Sequence, residues 1–362
     1  MRDALAAAGA RFADHRGNEV AEEFSGIDQE YRAACEAVVV GDRSYRAQLR
    51  VTGADRVSFL HNMLTNDLKS LGPGEGLHAA LLTRLGKIVS DLLVYQLDDA
   101  TLLEMEPQAL TPVTEALSHY IISEDVDLKD TSDEEALFSV QGPRSSELLS
   151  LVSDEGWSEL APFHFTQTTL AGRKARVSAT PHGPGQSFDI ALPPKDAAWL
   201  LEKLLAAGEP LGLRPAGWQT LEVRRIESGI PQFGVDMDES HFPIEAGLDE
   251  AISFTKGCYL GQEYVVRLAH RGHLNRKLVG FQVTDSRVPR PGDGVFRSEE
   301  NAGQNGPIGR VTSAAFSASL GHPIALGYVH RDSFAPGTPV RIHRADQVFN
   351  AQVTELPFIA SP

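Results

Sequence analysis

Beyond Lys277 the chain stops mixing helical and extended patterns and becomes a succession of short β-type runs, and no other feature restricts the fold as much. Segments 278–283, 308–312, 325–329, 340–343 and 349–354 are rich in Val, Ile, Phe and Thr, side chains that suit a pleated surface. Gly- and Pro-containing turns separate them. Five or more short strands without helices predict a small barrel or sandwich over 277–362. The polar stretch 298–307 is expected to be an exposed loop.

The preceding residues mix both patterns, and 362 residues suggest two or three domains. The first forty residues read as a helix, a polar connector and a strand. Cys35, just ahead of Ala37-Val38-Val39-Val40, reads as a small buried side chain. Gly53-Ala54-Asp55-Arg56 opens a helix bearing Val57, Leu60 and Leu64, closed by Asn66-Asp67. After the Gly72-Pro73-Gly74 turn, runs 77–82 and 88–97 flank Leu85-Gly86-Lys87 and predict a hairpin, followed by a helix over 111–122. A second unit begins near Ala136, with strands at 137–140, 175–178 and 188–192. Helices follow Gly142-Pro143 and Pro193-Pro194, and a third runs over 215–228. The fold class is α+β.

A net charge of −16 argues against a broad nucleic-acid surface, which needs clustered cations. One basic run does exist: Arg267, His270, Arg271, His273, Arg276 and Lys277 form either a solvated loop or an anion site. No apolar run is long enough to cross a membrane. The N-terminal stretch carries Asp3 and Arg11, lacks an apolar core, and reads as a surface helix instead of an export signal. Two cysteines make neither a disulfide framework nor a thiolate metal site, and a cytoplasmic location is expected.

The octapeptide Lys256-Gly257-Cys258-Tyr259-Leu260-Gly261-Gln262-Glu263 concentrates the chemistry. It sets a cysteine between glycines beside Lys256, with Arg267 close behind. Cations favour the thiolate, which is the reactive form, whereas Glu263 would oppose them if it lies closer. Taken alone, a cysteine in a glycine-rich turn also fits a structural role. His61, His78, His119 and His164 show no ligand spacing and read as ordinary core or surface histidines, so no metal site is expected. No phosphate loop, dinucleotide fingerprint or Ser-His-Asp order is present.

The octapeptide resembles the signature of the YgfZ family, folate-binding proteins tied to iron–sulfur cluster assembly and repair. That family is related to the T-protein of the glycine cleavage system, a tetrahydrofolate-dependent aminomethyltransferase. Leu64-Thr65-Asn66-Asp67-Leu68 and Gly86-Lys87-Ile88-Val89-Ser90-Asp91-Leu92 resemble the T-protein side. Arg225-Ile226-Glu227-Ser228-Gly229-Ile230-Pro231 and Phe242-Pro243-Ile244-Glu245-Ala246-Gly247-Leu248 are similar to both groups. Ile308-Gly309-Arg310-Val311-Thr312-Ser313 and Ile324-Ala325-Leu326-Gly327-Tyr328-Val329 resemble the shared barrel. The resemblance covers nearly the whole chain. It implies three lobes around a central folate-binding channel. These are an antiparallel α+β lobe of 1–50 and 136–276, an inserted ferredoxin-like lobe of 51–135 and a C-terminal β-barrel of 277–362.

What the resemblance implies for the site follows residue by residue. Asp91 matches an aspartate near the folate nitrogen that receives the one-carbon unit, and Cys258 matches the cysteine that YgfZ proteins require; these are the two candidate catalytic residues. Arg225 matches an arginine facing the folate, though an Arg224-Arg225 pair also fits a helix surface. Lys256, Tyr259 and Arg267 are the other candidate folate contacts, with Tyr259 equally suited to filling an interface. Gln262 and Glu263 are expected to anchor the loop. At Gly183-Pro184-Gly185-Gln186-Ser187-Phe188-Asp189 the T-protein pattern is broken, because Gly185 falls where a pterin-holding glutamate is expected. A neighbouring gap would bring Gln186 close instead. The expected function is therefore a tetrahydrofolate-binding accessory protein of YgfZ type, supporting iron–sulfur enzymes through Cys258. The alternative is an aminomethyltransferase passing a one-carbon unit to tetrahydrofolate. Tetrahydrofolate or a one-carbon-substituted folate is the expected cofactor, and iron–sulfur scaffold or client proteins are the expected partners.

Overall fold

The computed structural model describes residues 1–270, 272–298 and 306–360. Arg271 of the basic run and 299–305 of the expected loop lie outside the described residues. The chain divides into two compact units: Met1–Ala79 with Asp91–Glu222, and Ala80–Ser90 with Val223–Ala360.

The first unit holds a six-stranded sheet in the order Phe165–Leu170, Arg173–Ala179, Ser187–Leu192, Ala136–Gln141, Val39–Asp42, Arg214–Pro215. Its pairings are antiparallel except the last, which is parallel. Helices Ser145–Val152 and Pro194–Gly208 bring Leu148, Leu149, Leu200, Leu201 and Leu204 onto Phe138, Val140, Val177 and Ile190 of this sheet. Each of these is almost wholly withdrawn from water, and burying one such side chain stabilises by about 1.5–3 kcal/mol.

A five-stranded sheet runs Gly76–Leu82, Ile88–Gln96, Thr101–Met105, Ala47–Thr52, Asp127–Asp130. The expected hairpin is present, its turn closed by Thr83 N donating to Lys87 O at 2.8 Å. Helix Leu110–Tyr120 falls where the pattern placed one.

The first forty residues are richer than a helix, connector and strand. Arg11–His15 and Asn18–Glu23 pair as a hairpin, and Ile27–Glu36 is a helix. The hairpin turn places Arg16 (φ 60°) and Gly17 (φ 85°) both in the left-handed region, the geometry a two-residue loop needs to match strand twist. Arg-Gly is a weak signal for that turn, so the connector looked featureless. Cys35 lies in the Ile27–Glu36 helix and is only half-buried, which corrects its reading as a small buried side chain.

In the second unit the β-rich tail closes into a barrel: Arg276–Val283, His322–His330, Gly309–Ser317, Gly294–Arg297, Pro339–Arg344, Gln347–Thr354. Val279, Phe281, Val295, Val311, Val329, Ile342, Phe349 and Val353 fill it. The expectation of a small barrel is borne out, with Gly294–Arg297 an additional short strand. The stretch carrying Arg267 and His270 is a helix, Gln262–His270, where a loop was one of the two readings. Val265 is its fully buried anchor, and the density of charge around that residue masked the helical stripe.

Candidate functional site

Asp91 sits on strand Ile88–Gln96 between Ser90 and Leu92, both buried, while its own side chain keeps 22% of its surface exposed. The strand alternation that buries Leu92 and Val94 therefore presents a carboxylate on a partly open face. His78, on the neighbouring strand, brings Nε2 to 3.0 Å from Asp91 Oδ2. An ionised carboxylate only accepts, so Nε2 carries the proton and donates. The ring of Phe163 lies 6.2 Å from the imidazole and tilted by 30°. His78 is thus no ordinary histidine. The signal for it was a separation of 13 residues across a hairpin, which folds one position back beside the other.

Behind Asp91 the first unit contains a buried layer of charge that sequence reasoning missed. Arg46 feels the Asp91 charge and is itself held by Glu104, with Nε donating at 3.1 Å, and by Glu106. Arg43 Nη1 donates to His182 Nδ1 at 2.7 Å, and His182 Nε2 donates to Asp189 Oδ2 at 2.6 Å. Burial, then Arg43, pulls His182 below its usual value, so the imidazole is neutral. Burial works to raise Asp189, but His182 and Arg43 outweigh it and hold the carboxyl low. Glu104 Oε2, Gln141 Oε1 and Asp189 Oδ1 are buried without a hydrogen-bond partner among the described residues.

At the broken motif, Gly185 adopts φ 86° with open space around it. Gln186 does not replace the absent carboxylate: its Oε1 accepts from Ser146 Oγ at 2.7 Å on an exposed surface.

The other candidates lie in the second unit. Cys258 is exposed, between Gly257 (φ 100°) and Gly261 (φ 81°). The loop rests against the hairpin tip. A Cβ on Gly261 would meet Thr83 O at 2.5 Å, and one on Gly86 would meet Tyr264 Cβ at 2.8 Å. Gln262 Nε2 donates to Gly257 O at 2.9 Å and braces the loop from within. Glu263 takes up Arg267 instead of the loop, accepting from Nη2 at 2.6 Å on the helix surface. Tyr259 is 7% exposed with Lys256 Nζ 5.2 Å from its ring centre, and burial pushes its phenol up to about 12.

Arg225, on helix Trp218–Glu227, points inward. Nη1 donates to Ile230 O at 2.6 Å and to Asp236 Oδ2 at 2.7 Å, while Nη2 donates to Ser313 Oγ at 2.8 Å. Thr312 Oγ1 and Ser313 Oγ both donate to Asp236 Oδ1, at 2.5 and 2.7 Å. The guanidinium therefore ties the helix to the barrel strand Gly309–Ser317 through a buried carboxylate. Glu227, wholly buried, accepts from Ser317 Oγ at 2.6 Å and adds a second tie to the same strand.

Among the described residues no group of three or more His, Cys, Asp or Glu is placed to hold a metal ion, and no helix is long and apolar enough to cross a membrane. What remains chemically is a positioned carboxylate in one unit and an exposed thiol in the other.

Residues 1–256 match the GCVT N-terminal domain, and 276–359 match the glycine cleavage T-protein C-terminal barrel domain. An aminomethyltransferase of Shouchella clausii is 33% identical over 97% of this chain and 94% of its own length. One of Bacillus subtilis is 30% identical over 97% of this chain and 95% of its own. The crystal structure of the glycine cleavage system aminomethyltransferase T from Bartonella henselae superposes with a TM-score of 0.89, covering 99% of this chain and 96% of the other at 24% identity, a likeness of fold.

Proposed function

Because the chain belongs to the glycine cleavage T-protein family, we propose that it is an aminomethyltransferase that passes a one-carbon unit from an aminomethyl donor to tetrahydrofolate. The observation that carries this reading is the Asp91 carboxylate, partly exposed and fixed by His78 at 3.0 Å. It takes precedence over the YgfZ-type function because relatives of 30–33% identity across nearly the full chain carry the transferase name.

The residues around Asp91 suit a folate. A carboxylate beside flat aromatic surface fits the amine face of a reduced pterin. When bound, tetrahydrofolate supplies the nucleophilic nitrogen that takes the carbon. Asp91 is assigned to orient that amine and to accept a proton from it, as a general base. In the balanced reaction the donor's carbon becomes the methylene bridge of the folate, with ammonia and the donor thiol released. Lys256, Tyr259 and Arg267 remain candidate contacts. Arg225 is the weakest, since Asp236, Ile230 and Ser313 already engage its fork. The lobe limits 1–50 with 136–276, 51–135 and 277–362 belong to the same proposal, and proteolytic cuts near those limits would support them.

The test is direct. The full chain, given tetrahydrofolate and an aminomethyl group on a lipoyl carrier, should form methylene-tetrahydrofolate and ammonia. Absence of product at saturating folate would sink the transferase reading.

A second reading keeps the iron–sulfur accessory role, and one observation favours it: the octapeptide is intact, its thiol is exposed, and Gly185 and Gln186 provide no pterin carboxylate. Its test is complementation. Iron–sulfur enzyme activity restored by the chain but not by Cys258→Ser supports it, and equal rescue by both removes it.

A further inference from the structure

We infer that His78, stacked beside Phe163, is a positioning residue of the Asp91 carboxylate. The inference rests on the assignment of Asp91 to the folate amine made above.

The geometry starts at Phe163. Its backbone stands at φ 64°, a left-handed conformation in which an aromatic residue is rarely found and is strained. Hydrogen bonds on both sides hold it there: Phe163 N donates to Ala179 O at 2.6 Å, Ala179 N to His164 O at 2.9 Å, and Phe165 N to Gly74 O at 2.8 Å. Gly76 lets the segment come this close, since a Cβ there would meet Phe163 O at 2.5 Å and Val94 O at 2.6 Å. The strained residue lays its ring along the imidazole of His78, two positions after Gly76. Asn66 Nδ2 donates to His78 O at 2.9 Å and fixes the backbone of the same residue. The imidazole therefore has an aromatic ring 6.2 Å away, centre to centre, and an anchored main chain.

Held in this way, Nε2–H points at Asp91 Oδ2. A carboxylate on a single-bonded stem rotates, and a general base works only if its lone pair faces the proton to be taken. Pinning one oxygen fixes the plane of both. Arg46, itself held by Glu104 and Glu106, provides positive charge near the same carboxylate. His78 and Asp91 are each only about one-fifth exposed, 21% and 22%, which limits competition from water for that hydrogen bond.

Four variants of the full chain test this with tetrahydrofolate and a lipoyl-bound aminomethyl donor. His78→Ala should lower kcat by about tenfold or more, while KM for folate moves by less than about threefold, because orientation is lost and binding is not. His78→Gln, whose amide donates from a similar reach, should recover most of the loss. Phe163→Gly relieves the left-handed backbone, so its melting temperature should hold or rise while kcat falls as in His78→Ala. Asp91→Asn is the control for the underlying assignment. Full activity in Asp91→Asn overturns that assignment, whereas a dead Asp91→Asn with an unimpaired His78→Ala overturns the positioning role alone. Equal impairment of His78→Ala and His78→Gln also overturns it. A readout without turnover comes from 15N NMR of the His78 ring. The Nε2–H tautomer should dominate in the wild-type chain and give way to a mixture in Asp91→Asn; a dominant Nδ1–H form would remove the proposal.

Discussion

Asp91, Arg225 and Cys258 are all polar residues that resemblance marks for function, but the structure places them in three different environments. Asp91 is half-buried and accepts a directed hydrogen bond from His78. Its replacement by Asn keeps shape while removing the base, so kcat should fall by about 10²–10⁴-fold in single-turnover measurements, with the melting temperature nearly unchanged. Arg225 neutralises Asp236, a carboxylate 1% exposed. Arg225→Ala leaves that charge buried and unpaired by its cation, and urea unfolding should report a loss of about 3–5 kcal/mol. Were its role only to meet a ligand, stability would hold and folate affinity alone would suffer. Cys258 is exposed, and Cys258→Ser should change stability by no more than about 0.5 kcal/mol. On the transferase reading, turnover in that variant matches the parent.

The hairpin Gly76–Leu82 and Ile88–Gln96 was legible because alternating apolar runs flanked a glycine turn, and helix Pro194–Gly208 because leucines recurred at helical spacing. Helix Gln262–His270 was hidden by charge, with Val265 its one fully buried side chain. The polar layer of Arg43, Arg46, Glu104, His182 and Asp189 was illegible for another reason. Its members come from separate strands and loops, and no local spacing joins residues that only sheet pairing brings together. Asp91 was found by motif, and His78 was missed because its meaning lies in a partner across the hairpin. At this scale the contact of Gly261 with the hairpin tip makes a further prediction. Gly261→Ala forces a Cβ against Thr83 O at a left-handed position, and urea denaturation should show a loss of about 1–3 kcal/mol, whereas Gly257→Ala, with open space around it, should lose less.

Each unit contains a histidine that burial keeps neutral: His182 in the first, with Arg43 adding to the effect, and His241 in the second, with Arg276 adding. Both stand below the ordinary 6.5 in the folded chain. As pH drops beneath that value the unfolded chain takes up protons that the folded chain refuses, so stability declines with acidification. Asp189 and Asp238, both held low, extend the decline below the usual carboxylate range of 3.8. The urea midpoint should therefore fall steadily from pH 7 to pH 5, and His182→Gln should flatten part of that slope; a flat profile in the parent chain would contradict the burial of neutral imidazoles. The barrel was legible at this scale from composition and turns alone, because a closed sheet needs only local alternation, whereas the division into Met1–Ala79 with Asp91–Glu222 and Ala80–Ser90 with Val223–Ala360 follows contacts that no segment carries by itself. The bare α-carbon of Gly86, 3.0 Å from where a methyl on Gly261 would stand, has an evolutionary corollary. In a randomised library selected for folding alone, positions 86 and 261 would return as glycine together while position 258 drifts freely; a library selected for chemistry would reveal by its survivors whether the Cys258 sulfur was ever needed.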